Sequence, residues 1–129
     1  MKKELLLDTN IVIDLLRSRV AAKEWILNTS GSLTVSTVSV AELYAGIHNQ
    51  QQKNQVEQFL RSLKIIGISI EAAKLAGLYK GQYFKSHGTD LIDAMIAATA
   101  ELHSLELVTM NTKHFPMFPS LKRPYEYPA

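Results

Sequence analysis

Four short runs rich in apolar and β-branched residues recur along the chain, with helical periodicity between them. Leu5–Leu7 is continuously apolar and ends at Asp8, the mark of a strand covered on both faces of a parallel sheet. Leu33–Ser36 has strand alternation, Lys64–Ser69 reads as a third strand and Leu105–Thr109 as a fourth. A short last strand is predicted near Lys122–Tyr125, in a tail broken by Pro116, Pro119, Pro124 and Pro128. Strands that alternate with helices imply an α/β fold, a parallel sheet with helices on both faces. Such sheets bind ligands beyond the carboxyl ends of the strands, where the strand order reverses.

The helices follow from capping residues and apolar spacing. Thr9-Asn10 can cap a helix that carries Ile11, Val12, Leu15 and Leu16 on its apolar side. Val20–Leu27 reads as a second helix, followed by the turn cluster Thr29–Ser32. Ser39 is expected to begin a third, with Val40, Leu43, Tyr44 and Ile47 at helical spacing. Asn49–Gln52 reads as a polar break before a helix over Gln55–Leu63. Glu71–Phe84 is helical with Ala72, Leu75, Ala76 and Tyr79 inward, and His87-Gly88-Thr89 is a turn. Asp90–Leu102, dense in Ala, Leu, Ile and Met, is the clearest helix.

Composition narrows the function. A length of 129 residues fits one domain, 1–129, large enough to bury a core. The absence of cysteine excludes disulfides, zinc–thiolate sites and cysteine catalysis. The leucines before Asp8 are too few for a signal-peptide core, and no run of about 18 apolar residues exists, so the expected location is the cytoplasm with no membrane contact. A net charge of +2 does not by itself announce a nucleic-acid binder. Its distribution says more: several acids fall at motif positions while Lys and Arg lie elsewhere.

Those acids are the chemical candidates, and each has a structural alternative. Asp8 stands at the carboxyl end of the first strand, where it could equally cap the next helix. Ser39-x-x-Glu42 has the form of a capping box, which competes with a role for Glu42 in a site. Asp90 and Asp93 share one helix face and suit the helix dipole, yet Asp93 lies within the apolar run Leu91–Ala98. A carboxylate entering a covered helix is costly unless it is paired or binds a cation. Asn111, with Thr109 and Thr112, follows the fourth strand. The four histidines share no zinc spacing, and neither a Gly-x-Ser-x-Gly motif nor a glycine-rich phosphate loop is present. Hard oxygen ligands favour Mg²⁺ or Mn²⁺, ions that activate water and stabilise charge on a phosphodiester.

With these residues in view, the chain resembles a known family. The segments Leu5–Asp14 (LLLDTNIVID), Ser39–Gly46 (SVAELYAG), Asp93–Ala100 (DAMIAATA) and Leu107–Phe115 (LVTMNTKHF) have the order and spacing of the PIN domain. The closest branch is the VapC-type ribonuclease toxins of toxin–antitoxin pairs. The resemblance spans nearly the whole chain. It implies a PIN-like three-layer sandwich with a parallel sheet of about five strands, and Mg²⁺- or Mn²⁺-dependent endonucleolytic cleavage of RNA. Asp8, Glu42 and Asp93 match the first three family acids, and Asp90 suits a supplementary ligand. The resemblance thus implies Asp8 and Asp93 as direct metal ligands. The fourth acid falls on Asn111, which favours one tightly held ion over two, and His114 stands where many relatives carry an acid. Asn10 and Thr37 match polar positions that orient the acids. The implied partners are an RNA substrate, a cognate VapB-type antitoxin and a second copy of the chain, with DNA engaged only through the antitoxin. Two other readings stand beside this one: a PIN nuclease of RNA processing or structure-specific DNA cleavage, and a non-catalytic PIN binding module.

Overall fold

The computed structural model describes residues 3–128. The order is β1 (Glu4–Leu7), α1 (Thr9–Leu16), α2 (Val20–Leu27), β2 (Ser32–Ser36), α3 (Thr37–Ala45), α4 (Gln50–Arg61), β3 (Lys64–Ile66), α5 (Ile70–His87), α6 (Leu91–Leu102) and β4 (Glu106–Val108), then a 3₁₀ turn at Thr112–His114. All strand pairs are parallel, in the order β3-β2-β1-β4. The chain therefore builds outward from β1 through β2 to β3, then returns to lay β4 on the other side of β1. That reversal puts the crevice between the carboxyl ends of β1 and β4.

The pleat of β1 divides the core. Leu5 and Leu7 point to one face, with Val35 and Val108, against Ile11 and Val12 of α1, Leu43 of α3, and Val56 and Leu60 of α4. Leu6 points to the other, with Leu107, beneath Ile96, Ala97 and Ala100 of α6 and the fully buried Phe115. The alanines let α6 lie close on the sheet. Ala94 and Ala98 on the same helix meet Ala72 and Ala76 of α5. No helix among the described residues is long and apolar enough to cross a membrane.

The sheet has four strands among the described residues, where about five were expected. The predicted strand near Lys122–Tyr125 does not form. Pro124 has no N–H to give a ladder, and Tyr125 and Tyr127 instead donate their hydroxyls to Asp14 of α1, each at 2.7 Å. Three helix starts also differ: Asp8 caps α1, so Thr9 and Asn10 already lie in its first turn. α3 begins at Thr37 because β2 runs directly into it, with Ser36 as the cap, its Oγ accepting the Val38 N–H at 3.0 Å. The expected polar break is the first turn of α4, since Asn49 Oδ1 accepts the Gln52 N–H at 2.8 Å. β3 ends at Ile66, earlier than expected, because Ile68 leaves the ladder to pack on the α5–α6 alanines.

Candidate active site

Asp8 occupies the first position after β1 and is only 5% exposed. Its Oδ1 accepts the Thr9 N–H at 2.8 Å, and its Oδ2 accepts the hydroxyl of Thr109, just beyond β4, at 2.7 Å. One carboxylate therefore caps α1 and bridges the crevice between β1 and β4. Asn10 stands beside the pair: its Nδ2 lies 3.4 Å from both Asp8 Oδ2 and Thr109 Oγ1, and its Oδ1 accepts the Met110 N–H at 3.4 Å. Burial pushes the Asp8 carboxyl above its ordinary pKa. Hydrogen bonds from Thr109 and Thr9 oppose the rise, while the charges of Glu42 and Asp90 add to it.

Glu42 does not form the predicted capping box. The helix begins two residues before Ser39, so Ser39 lies inside the first turn with its side chain fully buried. Thr9 Oγ1 instead reaches Glu42 Oε1 at 2.6 Å and Ser39 Oγ at 2.8 Å. A hydroxyl has one proton to give, and the carboxylate is the stronger acceptor, so Thr9 donates to Glu42 and accepts from Ser39. Thr37 is exposed in the first turn of α3 and makes no hydrogen bond to an acid among the described residues. Thr9, Ser39 and Thr109 supply the hydroxyls expected of it.

Asp90 and Asp93 form the capping box of α6. Asp90 Oδ1 accepts the Asp93 N–H at 2.8 Å, and the Asp90 N–H donates to Asp93 Oδ2 at 3.3 Å. Asp90 is exposed, whereas the Asp93 side chain is 14% exposed. Burial raises the Asp93 pKa to about 6; the Asp90 amide opposes the rise, the charges of Asp90 and Asp8 add to it, and His114 opposes it. His114 Nδ1 lies 3.2 Å from Asp93 Oδ2. Asn111 is exposed and its side chain caps nothing, but its backbone N–H donates to Thr109 Oγ1 at 3.0 Å.

The donor set suits a hard divalent cation. Asp8 is buried with no cationic side chain paired to it among the described residues, and Glu42 likewise. No three acids or histidines among those residues close on one point as a complete cage would require. Mg²⁺ needs no such cage, because it keeps several waters and takes one or two carboxylates.

A profile of the PIN domain matches residues 5–118. This chain belongs to the PIN domain family. Ribonuclease VapC10 of Mycobacterium tuberculosis is 37% identical to this PIN domain over 128 residues, covering 97% of this chain and 96% of that protein. Ribonuclease VapC19 of the same organism is 34% identical, covering 93% and 98%. Among solved structures, a toxin–antitoxin complex from Klebsiella pneumoniae contains a chain that superposes with a TM-score of 0.82 at 34% identity, covering 96% of this chain and all of that one.

Several residues around the acids of this PIN domain escaped the sequence reading. Thr9 was legible only as a helix cap, and its contact with Glu42 spans 33 residues. The His114 contact with Asp93 carries no local signal, because a lone histidine in a turn has many partners open to it. Asp14, 4% exposed, also went unread; it accepts both tyrosine hydroxyls and pairs with Arg19 Nε at 3.2 Å.

Proposed function

We propose that this PIN domain is a VapC-type endoribonuclease that depends on Mg²⁺ or Mn²⁺ and is silenced by a cognate antitoxin. One observation carries the reading: a buried Asp8 without a cationic partner sits at the sheet's reversal point, within the field of Glu42 and Asp90, and its own charge reaches Asp93. A bound divalent cation would neutralise charge on the phosphodiester and lower the pKa of water. Asp8 and Asp93 would hold that cation. Glu42, with Oε1 held by Thr9, keeps Oε2 to orient the attacking water and take its proton. Asp90, with Oδ1 engaged by the Asp93 N–H, has its other oxygen free and would reach the cation through water. Asn10 and Thr109 fix Oδ2 of Asp8, and Asn111 supports Thr109 through its backbone.

An apolar groove between α1, α3 and α4 supports the antitoxin partner. Ile13, Leu16, Leu43, Ile47 and Val56 line it, and Glu42 and Arg17 stand in the same groove. An amphipathic segment could lay its apolar side there and bring a basic side chain to Glu42. The outward face of α5 supports a second copy of the chain. Ile70, Leu78 and Phe84 are exposed there, and an added Cβ at Gly77 or Gly81 would meet open space.

The test is cleavage of RNA by the purified protein with Mn²⁺ or Mg²⁺, compared with EDTA, with single-stranded DNA and with Asp93→Asn. Metal-dependent RNA cleavage lost in Asp93→Asn is the expected result. Preference for DNA would favour a structure-specific DNA nuclease, and no cleavage of either would favour a binding module.

A further inference from the structure

We propose that His114 is a positioning residue for Asp93: its Nδ1–H holds Oδ2 of that carboxylate and leaves Oδ1 as the oxygen that meets the cation. The inference rests on the reading of Asp93 as a direct ligand. The Asp90 N–H donates to Oδ2 at 3.3 Å, and His114 Nδ1 lies 3.2 Å from the same oxygen. Neither touches Oδ1. Two nitrogens beside one oxygen bias the orientation of the carboxylate and favour presentation of the other oxygen. Groups that brace a ligand in this way tune metal affinity about as strongly as ligand geometry does.

The backbone at His114 is itself held from two sides. Thr89, fully buried at the turn between α5 and α6, donates its hydroxyl to the His114 carbonyl at 2.6 Å. Phe115, the next residue, is fully buried in the core beneath α6. Gly88 closes α5 with a φ of +69°, and a Cβ there would lie 3.6 Å from His114 Nε2. The loop after β4 and the turn before α6 are thereby locked together, with the ring set over the first turn of α6. The residue at this position brings a ring nitrogen to Asp93 and adds no negative charge.

Asparagine places an amide nitrogen on Cγ, where Nδ1 is attached, whereas glutamine places one further out, near Nε2. Both substitutions preserve the Thr89 bond, which uses the backbone carbonyl. The experiment measures Mn²⁺ affinity, by electron paramagnetic resonance of the free ion, for wild type, His114→Asn, His114→Gln and Asp93→Asn. His114→Gln is expected to weaken Mn²⁺ binding about 10- to 100-fold, and RNA cleavage to fall with it. His114→Asn is expected to stay within a factor of about three of wild type, because the donor is restored. Wild-type affinity in His114→Gln, or equal losses in both variants, overturns the proposal. Wild-type affinity in Asp93→Asn overturns the reading of Asp93 as a ligand, and the proposal with it. Loss in Asp93→Asn with no difference between the histidine variants overturns the proposal alone.

Discussion

Thr9 Oγ1 lies 2.6 Å from Glu42 Oε1, tying the first residue of α1 to α3 in the part-buried space beside Asp8. The bond selects which Glu42 oxygen stays free. Thr9→Val keeps the shape and removes the donor. It should cost about 1.5–3 kcal/mol of stability, the range for a bond to a charged group. RNA cleavage should fall on the order of 10-fold, in kcat more than in KM, if Glu42 acts from this position. An unchanged kcat would separate Glu42 from the chemistry.

Divalent metal should stabilise the protein by mass action. At 100 times its dissociation constant a ligand adds about 2.7 kcal/mol. Melting curves with Mn²⁺ or Mg²⁺ should therefore shift upward by several degrees, and Asp8→Asn should remove most of the gain. A melting temperature unmoved by either ion would count against the site.

Without metal, Asp93 should oppose folding at neutral pH. Its folded pKa of about 6 lies above the ordinary 3.8, so the folded state binds the proton more tightly than the unfolded chain. The penalty is absent below pH 4, grows as pH rises through the folded pKa, and is complete above it. After a discount for solvent screening it amounts to about 1–2 kcal/mol. Asp8, shifted in the same direction, adds to it. In EDTA, Asp93→Asn should be the more stable protein in urea at pH 7 and lose that advantage at pH 4. Saturating Mn²⁺ should reverse the order at pH 7.

The tail is clasped to α1 at Asp14. Burial, then the bond to Asp14, pushes the Tyr125 phenol far above its ordinary pKa, so it stays a donor at any working pH. Tyr125→Phe should cost about 1.5–3 kcal/mol in urea unfolding, the range for a bond to a charged group. Tyr127→Phe should cost less, because Tyr127 is exposed and its solvated hydroxyl gains less from the bond. Equal, negligible losses would mean that the clasp adds nothing to stability.

Light scattering should give twice the chain mass if α5 is the self-association face. Ile70, Gly77, Gly81 and Phe84 fall on one stripe at helical spacing, flanked by Leu78. Gly81→Glu should return the mass to that of one chain while the far-UV circular dichroism stays that of the folded protein. A dimer that survives Gly81→Glu would place the interface elsewhere.

Much of the fold was legible because its signals are local. The α2 boundaries were read directly, and α6 followed from its run of helix formers. Leu5–Leu7 announced a central strand because both faces of β1 are covered. The misread boundaries lie where a cap competes with its neighbours. Ser36 and Ser39 look alike in sequence, and only the direct passage from β2 into α3 makes Ser36 the cap. The tail looked strand-like, yet its tyrosines gain more from Asp14 than its prolines could from a ladder.

By itself, the sequence determined the alternation of strands and helices, the apolar stripe of each, and the presence of Asp8, Glu42 and Asp93 near element ends. These depend on periodicities of two and 3.6 residues, which nearest neighbours along the chain express. The tertiary structure alone decided which oxygen of each acid is occupied and which group occupies it. Thr109 reaches Asp8 across 101 residues, Thr9 reaches Glu42 across 33, and His114 turns to Asp93 because Thr89 and Phe115 anchor its backbone. Hydrogen bonds act over about 3 Å, and no local pattern reveals which distant atoms the packing of sheet and helices will bring that close.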